Sequence, residues 1–464
     1  AAKTQDNAVG DGTTTVVVVA SELLRKAEEL LDQNIHPTLV VSGYRKAAQQ
    51  ALEELNQLAK EVSREDNETL RNVASTAVRS KAIAAAREKI LDTAIKAVKT
   101  IAEQRGKRWV ADVDLVQITK KAGGSFADTR LINGLIIDKE VVHSGMPKRT
   151  DNAKIALLEC PLEIEKTEIS AEIRIRDPTQ MKAFLDEEAK MLKEMVEKIR
   201  KAGANVVFCQ KGIDDMAQHF LAKQGVLAVR RVKESDMDKL SKATGGRIVN
   251  NVDMLASGDL GEAELVEERK VGEDKWVFVE GCKNPRSLTI LIRGGTERVV
   301  DEAERSVHDA ISVTRDAVLK PKIVAGGGAL EAEVASKLRS WAQTLSGREQ
   351  LAALDFAEAL EVVPITLAEN AGLDPIDIQV ELRARHEKGE KWAGVNVFEG
   401  KVKDMYKEDV LEPVSVKEQI VKSAFEAAAM ILRIDDVIAA SKVKTGETTG
   451  KKGAETGGEE SEFS

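Results

Sequence analysis

The chain has 464 residues, of which 42% are apolar, 32% charged and 3% aromatic, and its net charge is −9 from 69 basic and 78 acidic side chains. That length predicts two to four domains built with much amphipathic helix, while the interspersed charge signs argue against a nucleic-acid footprint and no run nears the ~20 apolar residues of a membrane span. The scattered Cys160, Cys209 and Cys282 exclude a disulfide framework or cysteine zinc site, read as small buried residues, and fit a reducing cytoplasm.

The first motif is Gly10, Asp11, Gly12 and three threonines, Thr13 to Thr15, ahead of an apolar run. Glycines admit close approach and unusual φ values. A helix N-terminus behind them offers free amides to phosphate oxygens, and Asp11 suits Mg²⁺, which prefers carboxylate and phosphate oxygen. An ordinary Asp-Gly turn with a threonine cap uses the same residues, and no Gly-Lys-Ser/Thr follows, so this is not a Walker A loop. Leu23, Leu24, Ala27, Leu30 and Leu31 then recur at helical spacing. A break at "NIHPTLV" restarts a helix through Tyr44, Ala47, Ala48, Ala51 and Leu52, and 66–101 reads as a further long helical region.

From about 108, short β-rich runs alternate with Gly-containing turns. From 153 to about 260, strand and helix alternate: "AKIALLEC", a helix opening at Asp177-Pro178 and closing at Gly203, "ANVVFCQ", "GIDDMAQHFLAKQG" and "VLAVRRV". That order predicts parallel βαβ units. From Thr296 the chain turns helical again, with Asp309 beside the apolar stripe Val299, Val300, Ala303, Val307, Ala310 and Ile311. A carboxylate there suits the orientation of an attacking water, although a solvated helix carboxylate looks the same. Gly326, Gly327 and Gly328 open the next helix, either as a nucleotide loop or as a tight connection. Lys81, Lys120 and Lys121 are candidates for sensing phosphate charge. "GVNVFEGKV" reads as a short β segment, "AAAMILRIDDVIAA" as the last packed element, and the Gly/Thr/Lys/Glu-rich end as a disordered tail. The two helical ends predict one domain with the middle inserted into it.

Several segments together resemble the group II chaperonins, the thermosome type: "VGDGTTT", "LLDQNIHPTLV", "VVFCQKGIDDMAQHFLAKQGVLAVRRVKESDM", "KIVAGGG", "SGREQLA", "FAEALEVVPITLAENAGLDPIDI" and "MILRIDDVIAASK", in order from Ala2 to about Lys442. The resemblance implies a multidomain α/β chain. A mostly helical equatorial ATPase domain would take 1–66 and 322–442, and a small α/β intermediate hinge domain 67–137 and 290–321. An inserted α/β apical domain would take 138–289, with a helical protrusion at about 166–190 acting as a lid, and 443–464 would be the tail. It implies an ATP-dependent chaperone that folds non-native proteins in a double ring of identical or paralogous subunits. The alternative is a passive binder of unfolded chains without turnover.

For the site, the resemblance implies ATP and Mg²⁺ as ligands. Asp11 would hold the magnesium, Gly10 and Gly12 to Thr15 the phosphates, and Asp309 the hydrolytic water. Gly327 and Gly328 would lie at the nucleotide, Glu412 near the ribose, Gly394 and Asn396 near the base, and Lys81 would sense the γ-phosphate. Two departures stand out. Members begin with a further helical segment bearing a Leu-Gly-Pro-x-Gly loop and an Asn-Asp-Gly turn, and neither string occurs here, so the chain reads as an N-terminally truncated subunit. "AVRSK" also replaces the usual Ile-Thr-Gly/Ser-Lys around Lys81.

Overall fold

The computed structural model describes residues 1–79, 87–106, 108–164, 178–282, 284 and 287–434. The chain's two ends build one helical core. Helices Ala2–Val9, Thr13–Asp32 and Pro37–Leu58 pack with the returning helices Ala329–Ala342, Arg348–Leu360 and Val414–Ile431. The Thr13–Asp32 helix buries Val16, Val19, Ala20, Leu23, Ala27 and Leu30, the face that its 3.6-residue period defines. Pro37 occupies the first turn of the next helix, where no amide partner is needed, behind a His36 cap. Tyr44 sits edge-on to Phe356 at 5.7 Å, and its hydroxyl donates to the Leu23 carbonyl at 2.8 Å.

A second core joins helices Asn67–Val78, Arg87–Ile101 and Glu297–Leu319 to a three-stranded sheet. In that sheet Leu288–Gly294 runs parallel to Val116–Ala122 and antiparallel to Arg130–Ile132. Residues 66–101, read as one helical region, are two helices that pack on each other, and 80–86 lie outside the described residues.

A third core surrounds a seven-stranded sheet. Arg149–Leu158, Val206–Cys209 and Leu227–Val229 are parallel, as the alternation predicted. Gly261–Val271, Asp274–Cys282 and Gly134–Ile137 extend the sheet antiparallel. The long Gly261–Cys282 hairpin has no counterpart in the sequence reading. It turns through Gly272-Glu273, with Gly272 at φ 69°, the backbone such a two-residue turn favours. Helix Pro178–Ala202 ends at Gly203 (φ 95°) as its sequence predicts, whereas the predicted cap Asp177 and the 166–177 part of the 166–190 segment lie outside the described residues.

At each boundary the outgoing and returning chain lie side by side. Lys60–Glu61 pairs with Ile323 and Lys322, Val116–Ala122 with Leu288–Gly294, and Gly134 with Glu280. Such nesting is what insertion at a strand pair produces.

Two further expectations differ from the structure. Of the cysteines only Cys209 is buried, because Cys160 and Cys282 sit at the edges of the third core. The last described helix is Val414–Ile431, beginning thirteen residues before the Ala427 that opens the predicted element, because Val414, Val416, Ile420 and Val421 already carry its apolar face. Residues 435–464, including the predicted tail, lie outside the described residues.

Candidate functional site

Two glycine turns meet at one cavity of about 350 Å³. The first is Gly10-Asp11-Gly12. Gly12, at φ 77°, is the N-cap of Thr13–Asp32, and the first intrahelical bond is made by the Val16 amide to the Gly12 carbonyl. The amides of Thr13 to Thr15 precede that bond, so the helix presents donors and its positive end to the cavity. The second turn is Gly326-Gly327-Gly328. Gly328, at φ 74°, is the N-cap of Ala329–Ala342. Here small size matters more than φ: a Cβ on Gly326 would lie 2.5 Å from Glu412 Oε1. The turn thus forms a cradle that side chains would fill.

Of the predicted residues, Asp11, Gly12, Thr15, Gly327, Gly328, Asn396 and Glu412 line this cavity together. Gly10, Thr13, Thr14 and Gly394 are not among the lining residues, and Thr14 is exposed. Gly394 is packed against Met405, Ala329 and the Gly327 carbonyl, so it shapes the wall from outside. Asn396 is buried, and its side-chain oxygen accepts from the Phe398 and Glu399 amides, so that atom organises the turn. Lys81 lies outside the described residues. Lys120 and Lys121 are not at this site. Lys120 pairs with Asp301 and Glu304, and Lys121 with Asp274, in a separate cleft, because their strand belongs to the second core.

Asp309 does not line the cavity. It lies on the Glu297–Leu319 helix, which reaches the first turn from the second core, and its charge acts on Asp11. Gly10 is the seat: a Cβ there would lie 2.3 Å from Ser312 Cβ, one turn beyond Asp309. Arg315 Nη2 donates to the Ala8 carbonyl at 2.9 Å, tying the same helix to the first turn. His308 is held more readily protonated by a hydrogen bond to Asp309, against the effect of its burial.

The electrostatics suit a cation and an anion together. Burial, then the neighbouring Glu412 carboxylate, pushes the Asp11 carboxyl up to about 6, although the Gly12 amide donates to Oδ1 at 2.7 Å and works against this. Two carboxylates confined in one cavity are the donor set a hard divalent cation relieves.

Sequence reasoning missed Lys417 and Gln5. Burial opposes the Lys417 charge, but Glu331 and Glu412, 2.8 and 2.7 Å from Nζ, hold its pKa above the ordinary lysine value. Its signal was present, since Lys417 falls on the apolar stripe Val414, Ile420, Val421 and Ala424. Gln5 Nε2 donates to the Asp11 carbonyl at 2.9 Å and the Val416 carbonyl at 3.4 Å, stitching the first turn to the last helix. Thr76, Arg79, Val363, Leu367, Phe398 and Ile420 complete much of the lining.

The sequence matches the TCP-1/cpn60 chaperonin family over residues 1–442. The chain belongs to the TCP-1/cpn60 chaperonin family. This chaperonin is 59% identical to a thermosome subunit of Methanopyrus kandleri over 442 residues, 95% of this chain and 81% of that protein. It is 59% identical to thermosome subunit alpha of Archaeoglobus fulgidus over 459 residues, 99% of this chain and 84% of that one. Among solved structures, the open-state monomer of a group II chaperonin from Methanococcoides burtonii superposes with a TM-score of 0.73 at 47% identity, covering 92% of this chain and all of that one. The fold is thus that of a multidomain α/β group II chaperonin subunit.

Proposed function

We propose that the cavity between the two glycine turns binds ATP with Mg²⁺ and hydrolyses it, and that turnover drives this chaperonin subunit's action on non-native polypeptides. The observation that carries this reading is the convergence of two helix N-termini with Asp11 and Glu412 on one cavity. The amides of Thr13 to Thr15 donate to phosphate oxygens. Gly327 and Gly328 let the backbone approach the nucleotide, while Gly394 and Asn396 shape the side taken by the base. Glu412 faces the ribose and Asp11 holds the metal. Mg²⁺, when bound, neutralises phosphate charge. Asp309 accepts a proton from the attacking water and orients it, once its helix is seated against Gly10.

The bodies are assigned accordingly. Residues 1–66 and 322–442 form the equatorial ATPase, 67–137 and 290–321 the intermediate hinge, and 138–289 the apical domain. The strand Gly134–Ile137 hydrogen-bonds into the apical sheet. Subunits, identical or paralogous, assemble in stacked rings in the cytoplasm. Among the described residues no helix is long and apolar enough to cross a membrane.

Phosphate release by the purified chain, with and without Asp309→Ala, tests the reading. The parent is expected to release phosphate in Mg²⁺ and to stop on chelation. Asp309→Ala is expected to retain ATP binding but lose at least ~100-fold in turnover. An Asp309→Ala chain that turns over like the parent would remove Asp309 from the mechanism.

A further inference from the structure

Side-chain charge at the cavity is unevenly committed. Of the charged residues lining it, Asp11 and Glu412 are acidic, and Lys417 is already shared between Glu331 and Glu412. Lys417 is also 7% exposed at its side chain, so it has little freedom to leave those partners. Its positive charge is therefore largely balanced before any ligand arrives.

Arg79 differs. It is the C-cap of Asn67–Val78, lines the same cavity, and is half-buried. Among the described residues its guanidinium has no carboxylate partner. It lies instead over the Phe398 ring, 5.8 Å from the centroid. Phe398 is 73% exposed, an uncommon placement for a large aromatic, and belongs to the turn after Asn396 that walls the same cavity. The stack braces a long cationic side chain at the mouth of the cavity without neutralising it. Such a contact costs the arginine none of its hydrogen-bonding capacity, since all five N–H groups lie in the guanidinium plane. The two partners come from different bodies: Arg79 follows a helix of the second core, and Phe398 lies on the hairpin beside Gly327.

We infer that Arg79 is a nucleotide-contacting residue, braced on Phe398, that supplies the phosphates of a bound nucleoside triphosphate with side-chain positive charge not already balanced by a carboxylate. The inference rests on the ATP reading above and adds a residue to it. Because Arg79 approaches from the hinge side, its contact with the nucleotide also joins the second core to the helical one.

Calorimetric titration of the full chain with ATP, ADP and adenosine in Mg²⁺ buffer, at low and high salt, tests it. Arg79→Met is expected to weaken ATP binding about 10- to 100-fold, the worth of a lost charge-assisted contact. It should also flatten the salt dependence and leave adenosine binding unchanged. Arg79→Lys should recover part of the loss, and Phe398→Leu should give a smaller one. The melting temperature of the nucleotide-free Arg79→Met chain should stay near the parent's, because an exposed cation–π contact contributes little to stability. Equal ATP affinity in parent and Arg79→Met overturns the inference. So does a loss that is as large for adenosine as for ATP, which would make Arg79 a packing residue. A parent chain that binds no ATP overturns the nucleotide reading itself and the arginine's role with it.

Discussion

Lys417 shows how one side chain holds several elements together. It belongs to the last helix, yet its ammonium joins Glu331 of the helix behind the second glycine turn to Glu412 on the cavity wall. Removing one partner of such a buried group leaves uncompensated charge, so Lys417→Met is expected to destabilise the chain by about 3–5 kcal/mol. Adding Glu331→Gln should recover part of this, and paired denaturant titrations check it. Asp316 behaves in the opposite way. It is 6% exposed, and burial outweighs its Arg315 partner, raising its carboxyl from the ordinary 3.8 to about 7. Among the described residues one of its oxygens, Oδ2, has no hydrogen-bond partner. Between those pH values the folded chain keeps a proton that the unfolded chain has released. Its contribution to stability is therefore full below about pH 4 and is lost as pH rises through 7. Asp316→Asn is thus expected to be more stable than the parent at pH 8 by about 4 kcal/mol, with the gap shrinking toward about 1 kcal/mol at pH 4.5. Thermal melts at the two pH values decide it.

At the scale of elements, the Glu297–Leu319 helix couples the second core to the cavity. Its apolar face is buried through Val300, Ala303, Val307, Ala310 and Ile311, while Ser312 abuts Gly10. Gly10→Ala puts a Cβ where only 2.3 Å is available, at φ 67°. Left-handed backbone costs alanine about 1–2 kcal/mol, and the clash must shift the helix that carries Asp309. Phosphate release is expected to fall about 10-fold or more while ATP affinity changes little, since misplacement by a fraction of an ångström penalises chemistry before binding. Ser312→Gly in the same chain should restore turnover by clearing the space, and steady-state kinetics of the three variants check it. What was legible in the sequence follows the same division. Gly12 with Thr13 to Thr15 was readable because turn and helix start are local, and the parallel strands because their period changes visibly. Gln5 was not, because its partners at Asp11 and Val416 are set by packing far along the chain. The Gly261–Cys282 hairpin was missed because its glutamates and lysines mask a period-two pattern that only pairing with Arg149–Leu158 makes plain.

At the scale of the whole molecule, the strand pairs at each boundary make the chain a nest of insertions. The innermost unit enters at Gly134 and leaves after Cys282, and the Gly134–Glu280 pairing brings those ends together. Its core is its own, from Leu135 and Ile155 to Val277 and Val279. A smaller cluster crosses its border, with Ile136, Val271, Trp276 and Phe278 packed on Ile132 and Leu291 of the second core. A segment of residues 134–282 is therefore expected to fold alone with a single cooperative melt, because adjacent ends and an independent core are what autonomous folding needs. It should be less stable than the same region in the full chain, because the border cluster loses its cover. Trp276 is the only tryptophan between 134 and 282. Its emission in the isolated segment should be shifted to the red, since removing Ile132 and Leu291 opens its surroundings to water. Circular dichroism and fluorescence melts of the segment test this. A broad, non-cooperative melt would mean that the sheet needs the second core to fold. A cooperative melt with unshifted Trp276 emission would mean that the border cluster closes over itself when the second core is removed.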